Sequence, residues 1–308
     1  MKLAAFDLGS NTIKVTFADH TADEGLQILG QRAKITRIGE GLDTHGRLLD
    51  TAMERTFRGL SRLVAEGREL GIERMTGVAT AGMRGAANAP EFLTRIRDEL
   101  GLYVEIIDGL REAELAFRAP STRFGPGPLL VVDVGGRSTE LIAGRGAEID
   151  HRASLEIGSV RLTEKFIRTD PPPAEDLILL RQAIRKALSS APAMPTGGTL
   201  VGVSGTILSL LGVQQGADDI DQVVKDHDGG WLFRSSVEAI LADFAQKTTE
   251  ERIRGSIVPR GRADVIVAGT AIVLEVLDHG SVDRMRVTDQ GVRYGLLFEM
   301  ITSEAISP

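Results

Sequence analysis

The chain has 308 residues, of which 42% are hydrophobic and 26% are charged, and it contains no cysteine. This composition is typical of a folded globular protein with about two domains, and it excludes disulfides and thiolate metal sites. The formal net charge of −7 argues against general nucleic-acid binding and no apolar run reaches the roughly 18 residues of a membrane span, so we expect a cytoplasmic protein with neither kind of partner.

Strands and helices alternate along the first half of the sequence, which predicts an α/β fold. Apolar runs bounded by turn residues predict strands at 2–8, 12–18, 26–34, 75–79 and 103–107. Helical periodicity predicts helices at 51–70, 90–100 and 110–117. The breaker-rich stretch 120–128 is typical of a linker, so we predict a first domain at 1–125.

The second half repeats this organisation and is predicted to form a second domain at 126–308. Its strands are predicted at 129–134, 138–144, 147–154, 199–203 and 284–287. Its helices are predicted near 158–168, 175–188, 234–245 and 262–278, with one more beginning at Gly205. A final helix at about 291–308 packs either within this domain or back onto the first.

The most informative pattern occurs twice, once in each half. Asp7-Leu8-Gly9-Ser10-Asn11-Thr12 and Asp133-Val134-Gly135-Gly136-Arg137-Ser138 each lie between two predicted strands. Glycine lets backbone N–H groups approach phosphate oxygens closely, Ser, Thr and Asn add donors, and the leading carboxylate suits Mg²⁺. The repeat predicts two similar halves that face one phosphate site. The candidate phosphate-binding residues are Gly9, Ser10, Asn11, Thr12, Gly135, Gly136, Arg137, Ser138 and Thr139.

Three further features have both a functional and a structural interpretation. Gly205 and Thr206 begin a helix directly after a strand, which suits either an anion site or a simple turn. Arg84 follows the strand ending near Ala79, where it would either clamp a phosphate or form a surface salt bridge. The acids at 108–114 would either complement a helix dipole or orient or deprotonate an attacking water molecule, and Glu140 follows the second hairpin directly, within reach of the same site.

Taken in order, eight segments resemble the exopolyphosphatase and guanosine pentaphosphate phosphohydrolase family, Ppx/GppA. The segments are 7–12, 80–88, 109–113, 133–140, 154–163, 202–206, 261–266 and 288–295. The resemblance implies two ribonuclease-H-like domains of the actin, sugar kinase and chaperone ATPase superfamily, facing an interdomain cleft.

The resemblance also implies roles for individual residues. Glu112 matches the glutamate that activates water, Glu140 a second essential acid, and Arg84 a phosphate-binding arginine. Asp133 matches a metal-associated acid, and Asp7 and Glu140 complete the candidate metal ligands for Mg²⁺, with Mn²⁺ as the alternative. Dimers are common in the family, so a homodimer is an expectation as well.

Three departures from the family pattern are visible. Arg137 stands where a third glycine is usual, which would either supply an extra cation for phosphate or narrow the pocket. Gly82 replaces the usual alanine, which we interpret as a mild change. The sequence stops at Pro308 where long members continue into a helical domain, so we expect a short form with a weaker hold on long polyphosphate.

The leading hypothesis is an exopolyphosphatase that releases terminal orthophosphate from inorganic polyphosphate of short or medium length. The close alternative is a guanosine pentaphosphate 5′-phosphohydrolase. A non-catalytic sensor of polyphosphate or an alarmone is a second class, motivated by Arg137. A small-molecule kinase of the actin-like superfamily is a third.

Overall fold

Two compact units make up the protein in the computed structural model, which describes residues 1–21 and 23–304. The first unit comprises Met1–Leu115 together with the last helix, and the second comprises Ala116–Gly291. Each unit contains one mixed β-sheet and several helices. The predicted α/β class is therefore confirmed.

The sheet of the first unit has five strands. They are β1 (Lys2–Leu8), β2 (Thr12–Thr21), β3 (Gly25–Ile35), β4 (Arg74–Ala79) and β5 (Tyr103–Ile106). Their order is β3-β2-β1-β4-β5, with β2 antiparallel to both of its neighbours and β4 and β5 parallel to β1. This is the strand order of a ribonuclease-H-like domain. The central strand β1 is buried from Leu3 to Phe6, as expected for a strand covered on both faces.

The second unit repeats this order and adds one edge strand. Its strands are β6 (Pro128–Val134), β7 (Thr139–Arg145), β8 (Glu148–Leu155), β9 (Thr199–Val203), β10 (Trp231–Phe233) and β11 (Arg284–Thr288). The sheet order is β10-β11-β9-β6-β7-β8, so β6, β7, β8, β9 and β11 correspond to β1 through β5. The internal repeat is thus confirmed at the level of topology.

Twelve helices accompany the two sheets in the described part of the chain. They are α1 (Leu42–His45), α2 (Asp50–Glu69), α3 (Ala89–Leu100), α4 (Gly109–Phe124), α5 (Ser159–Phe166), α6 (Ala174–Leu188), α7 (Gly205–Gln215), α8 (Ile220–His227), α9 (Arg234–Ala245), α10 (Thr249–Gly255), α11 (Ile266–His279) and α12 (Val292–Glu304). Within residues 1–21 and 23–304, no helix is both long and apolar enough to cross a bilayer.

The predicted linker at 120–128 is wrong, because α4 continues through Pro120 to Phe124. The side chains of Ser121 and Thr122 bond back to the Arg118 carbonyl, at 2.9 and 3.0 Å, and support this turn. The helix ends where Gly125 has a φ of 88°, a conformation that glycine adopts without steric cost. The two units accordingly divide between Leu115 and Ala116, ten residues before the predicted boundary.

The last helix, α12, belongs to the first unit and packs on β1 and β2. Gly295 makes the approach to the chain around Leu115 possible, since a Cβ at this position would lie 2.1 Å from the Leu115 carbonyl oxygen. Gln31 on β3 also donates a 2.9 Å hydrogen bond to the Tyr294 hydroxyl. The second unit therefore ends before α12, and positions 305–308 of the predicted final helix lie outside the described residues.

Candidate functional site

The first glycine turn closes the β1–β2 hairpin of the first unit. The Gly9 amide donates to the Thr12 carbonyl at 3.1 Å, and Ser10, Asn11 and Thr12 are all buried. Amides of the segment 36–39 bond the Ser10 and Asn11 carbonyls at 2.9 to 3.0 Å. Because the C=O and N–H of a trans peptide point in opposite directions, the amide joining Ser10 and Asn11 is turned away from this segment. The turn is thus braced from behind by its carbonyl groups.

The second glycine turn has the same construction within the second unit. The Gly135 amide donates to the Ser138 carbonyl at 3.0 Å. The N-terminus of α5 braces it, with amides of α5 donating to the Gly135 and Gly136 carbonyls at 2.8 to 3.0 Å. Thr139 donates from its hydroxyl to the Ile157 carbonyl. The two predicted phosphate loops therefore share one geometry, although different elements support them.

Arg137 occupies an unexpected environment in the second turn. Its side chain is fully buried, with a 3.8 Å ion pair to Glu164 on α5. Gly158 lies directly against the same residue, since a Cβ on Gly158 would come within 2.3 Å of the Arg137 nitrogen. The structure places the Arg137 guanidinium beside α5 in the interior of the unit, where it pairs with Glu164; the sequence had left open an extra cation for phosphate or a side chain that narrows the pocket.

Arg84 and Glu112 meet in the first unit. Arg84 Nη2 lies 2.7 Å from Glu112 Oε2, and Arg84 Nε donates to the Ile107 carbonyl at 3.2 Å. Glu112 is 7% exposed and stands in the first turn of α4, where Asp108 accepts the Arg111 amide at 2.7 Å. Two motifs that are separate in the sequence are thus brought into direct contact.

Gly82 connects this pair to the first glycine turn. A Cβ on Gly82 would lie 2.5 Å from Ser10 Cα and 3.0 Å from the Ser10 nitrogen. Those are backbone atoms, so the turn itself would have to move to accept a side chain. The interpretation of glycine at this position as a mild change is therefore wrong for this chain, because the close approach of residues 80–84 to the turn requires it.

Glu140 and Asp133 form a carboxylate pair on adjacent strands. They are directly opposed in the β6–β7 register and so project from the same face of the sheet. Glu140 is 1% exposed, and the Ser154 hydroxyl on β8 donates to its Oε1 at 2.7 Å. The corresponding pair in the first unit is Asp7 and Lys14. The aspartate that begins the turn pattern therefore lies opposite an acid, Glu140, in the second unit and opposite a lysine, Lys14, in the first.

This contrast bears on which candidate ligands fit Mg²⁺. Burial raises the pKa of the Asp7 carboxyl, and the charges of Lys14 and Arg293 oppose that shift. No cluster of three or more His, Asp or Glu able to hold a metal occurs among the described residues. Mg²⁺ is commonly held by one or two carboxylates together with substrate phosphates. The donor set of Asp133 and Glu140 fits that mode better than Asp7, which already lies among cations.

The third glycine turn lies at the same end of the sheet as the second, where β6 and β9 both finish. β9 pairs with β6, and Val203 at its end stands opposite Asp133. Ser204 caps α7 by accepting the Ile207 amide at 3.1 Å, which leaves Gly205 and Thr206 in the first turn of that helix. Thr206 is buried beneath Gly269 of α11, whose missing side chain permits the contact.

Three supporting residues were not predicted as site residues. Ser154 orients Glu140, Gly158 abuts the second turn, and Arg262 donates to the Gly205 carbonyl at 2.9 Å. Burial lowers the pKa of the Arg262 guanidinium to about 10. All three lie in segments that carry the family resemblance, and that was the only signal in the sequence that could have identified them.

Comparison with known proteins agrees with this arrangement. Residues 16–304 match the model of the Ppx/GppA phosphatase family. The chain is 30% identical to exopolyphosphatase 2 of Mycobacterium tuberculosis over 97% of this chain and 98% of that protein. It is also 30% identical to the guanosine-5′-triphosphate,3′-diphosphate pyrophosphatase of Vibrio cholerae, over 97% of this chain but only 59% of that protein.

Solved structures show the same fold. The Aquifex aeolicus member of the Ppx/GppA family superposes with a TM-score of 0.83 at 33% identity, covering 100% of this chain and 99% of that one. An exopolyphosphatase from Cytophaga hutchinsonii superposes with a TM-score of 0.86 at 25% identity, covering 98% of each chain. The likeness therefore extends over both units.

Proposed function

This chain belongs to the Ppx/GppA phosphatase family, and from that membership we propose that it is an exopolyphosphatase that releases orthophosphate from the end of inorganic polyphosphate. The observation that carries the proposal is the Arg84–Glu112 contact, 2.7 Å long, next to a glycine turn on which Gly82 packs. A guanidinium, a carboxylate and a donor loop in one place are the parts that phosphoryl transfer requires.

In the proposed reaction, Glu112 accepts a proton from water as the oxygen attacks the terminal phosphorus. The bond from that phosphorus to the bridging oxygen breaks, and the shortened chain leaves with the electron pair. Arg84 holds the Glu112 carboxylate in position and offers its remaining N–H groups to the phosphoryl oxygens. The backbone amides of the first turn bind phosphate oxygens in the same unit.

The second unit carries its own candidate phosphate ligands and the candidate metal ligands. Gly135, Gly136 and Ser138 form its donor loop, and Thr139 fixes the end of the loop through the bond from its hydroxyl to the Ile157 carbonyl. Asp133 and Glu140 would hold Mg²⁺, with Ser154 fixing the Glu140 carboxylate. The ion would neutralise charge on the phosphate oxygens.

A guanosine pentaphosphate phosphohydrolase is the second candidate function. It is supported by the Vibrio cholerae relative, which is as similar in sequence as the mycobacterial exopolyphosphatase. The chain spans 98% of the mycobacterial protein and 59% of the Vibrio one, so the exopolyphosphatase is the one of these two that is matched along nearly its whole length.

The test is phosphate release from polyphosphates of defined length and from guanosine pentaphosphate at equal concentration, with and without Mg²⁺. We expect Glu112→Gln to lower kcat by about 10²- to 10⁴-fold, the usual contribution of a general base. The control is Glu114→Gln on the same helix, which removes the charge that pairs with Arg111 and should keep full activity.

Three outcomes would contradict the proposal. Normal turnover by Glu112→Gln would remove its assignment as the base. Faster release from guanosine pentaphosphate than from any polyphosphate would favour the second candidate. Tight polyphosphate binding without release under any metal would indicate a sensor.

A further inference from the structure

A cation-rich cavity lies in the first unit between helix α2 and the edge strand β3. Its volume is about 720 Å³, within the roughly 300–1,000 Å³ of ligand pockets. The charged residues that line it are Lys34, Arg55, Arg58, Arg62, Asp50 and Glu54. We call this cavity the α2–β3 pocket. No residue of either glycine turn, 9–12 or 135–139, lines this pocket.

The pocket follows from the local sequence of α2. Arg55, Arg58 and Arg62 are three and four residues apart, so they share one face of the helix. Gly59 lies among them without a side chain, and a Cβ there would be 3.3 Å from Thr36 Cγ2 and 3.9 Å from Lys34 Cβ. The glycine therefore lets β3 approach α2 closely while the arginines and Lys34 surround the space.

Two of the four cations have no partner among the described residues. Arg58 lies 3.5 Å from Glu54, and Arg55 lies 3.0 Å from Glu40. The side chains of Lys34 and Arg62 form no hydrogen bond or ion pair with any other residue in the described ranges, and both residues are exposed. On a protein with a formal net charge of −7, such a cluster gives a local positive potential that attracts anions.

The pocket is connected to the first glycine turn through the backbone. Arg55 Nε donates to the Thr36 carbonyl at 2.5 Å, and the Thr36 amide donates to the Asn11 carbonyl at 2.9 Å. Thr36 thus lines the pocket and also braces the turn. Arg55 and the first turn are therefore hydrogen-bonded to the same residue, Thr36.

We propose that the α2–β3 pocket is a second phosphate subsite, which binds a further stretch of an inorganic phosphate chain. Guanidinium groups suit phosphate oxygens because they donate two parallel hydrogen bonds. None of the residues lining the pocket is aromatic, so it offers no aromatic ring on which a nucleobase could stack. This absence favours an inorganic chain over a nucleotide. The choice of substrate class rests on the proposed function.

The test is equilibrium binding of polyphosphate of defined length, measured across a range of salt concentrations in a Glu112→Gln background that does not consume the ligand. We expect Lys34→Ala combined with Arg62→Ala to weaken binding about tenfold and to reduce the slope of log K against log salt by about 1.5, as for two lost phosphate contacts. The matched control combines Lys186→Ala with Lys225→Ala, two exposed lysines of the second unit, and should bind like the parent.

Equal affinity and equal salt slope in the two double variants would overturn the proposal. A second arm uses a single-stranded oligonucleotide with the same number of phosphates. If it binds as tightly and is weakened as much by the pocket variant, the assignment to an inorganic chain is wrong. Failure of the proposed function would instead appear as absent phosphate release by the unmodified chain, which this assay does not measure.

Discussion

Arg84 and Glu112 are 28 residues apart in the sequence and 2.7 Å apart in the structure. Taken separately, each had an ordinary structural interpretation, as a surface ion pair or as a complement to a helix dipole. Their contact is not an ordinary surface pair, because Glu112 is only 7% exposed and Gly82 packs the same segment onto the first glycine turn. The pairing gives both residues a shared position beside that turn.

Arg137 shows the opposite relation between sequence and structure. Its position in a phosphate-loop pattern suggested a cation available to substrate, yet the side chain is fully buried and pairs with Glu164. The signal that a sequence can offer is the residue type, whereas the direction of a long side chain depends on what packs around it. We therefore assign Arg137 to the support of its own loop.

A pH-dependent contribution to stability is expected from Asp176, in the first turn of α6. The Arg168 side chain and amide both donate to the Asp176 carboxylate, at 2.7 and 2.9 Å, and these bonds hold the pKa of Asp176 below its usual range. A carboxyl whose pKa is lower in the folded state stabilises the fold above its unfolded-state pKa, and this contribution is lost as the pH falls through the folded-state value.

We therefore expect Asp176→Asn to be less stable than the parent at pH 7, with the difference shrinking below about pH 4 and vanishing only below the lowered folded-state pKa. Denaturant unfolding at several pH values measures it. Glu175→Gln is the matched control, because Glu175 is 85% exposed and 3.8 Å from Arg168. A difference between Asp176→Asn and the parent that is independent of pH would contradict the assignment.

At the scale of elements, the two hairpins share a hydrogen-bond pattern but differ in what supports them. Both turns close with an amide-to-carbonyl bond across four residues, Gly9 to Thr12 and Gly135 to Ser138. The segment 36–39 braces the first, and the N-terminus of α5 braces the second. A pattern of six residues encodes the turn itself, since glycine and small polar residues set its backbone, but it does not encode the bracing element.

Gly82→Ala tests how closely the segment after β4 must approach the first turn. The added Cβ would lie 2.5 Å from Ser10 Cα, so the turn has to shift. We expect kcat/KM for polyphosphate to fall about 10- to 100-fold, the scale of a small misplacement in a catalytic site. Gly255→Ala is the control, since nothing lies within 4 Å of a Cβ there. Full activity in Gly82→Ala would show that the turn adapts without functional loss.

Short elements were the part of the fold that the sequence did not predict. The ends of the strands that build both repeats were located within three residues, because these strands show apolar runs between turn residues. Helices α1, α8 and α10 and strand β10 were missed. They have three to eight residues, which is too few to display a helical or alternating period.

At the scale of the whole molecule, the first unit is built from both ends of the chain. Helix α12 lies on β1 and β2, and its residues Val292, Leu297 and Met300 are buried. The core of the first unit therefore depends on a segment that follows the entire second unit. Segments at opposite ends of the sequence are therefore neighbours in the fold.

Leu297→Ala tests this arrangement. Leu297 is fully buried, and we expect a loss of about 2–5 kcal/mol with reduced hydrogen-exchange protection in β1. The matched variant is Leu277→Ala on α11, also fully buried, which should reduce protection in the second sheet instead. Loss of protection in β6 but not β1 on substituting Leu297 would contradict the placement of α12 in the first unit.

The sequence by itself determined the α/β class, the repeated strand pattern and the two glycine turns. These depend on residues within a few positions of each other, whose turn preferences and periodicity act locally. Only the tertiary structure decided that Arg84 reaches Glu112, that Gly82 must be glycine, that α4 crosses the expected linker and that α12 returns to the first unit. Those outcomes depend on packing between segments tens to hundreds of residues apart, where local preferences of the chain carry no information about the partner.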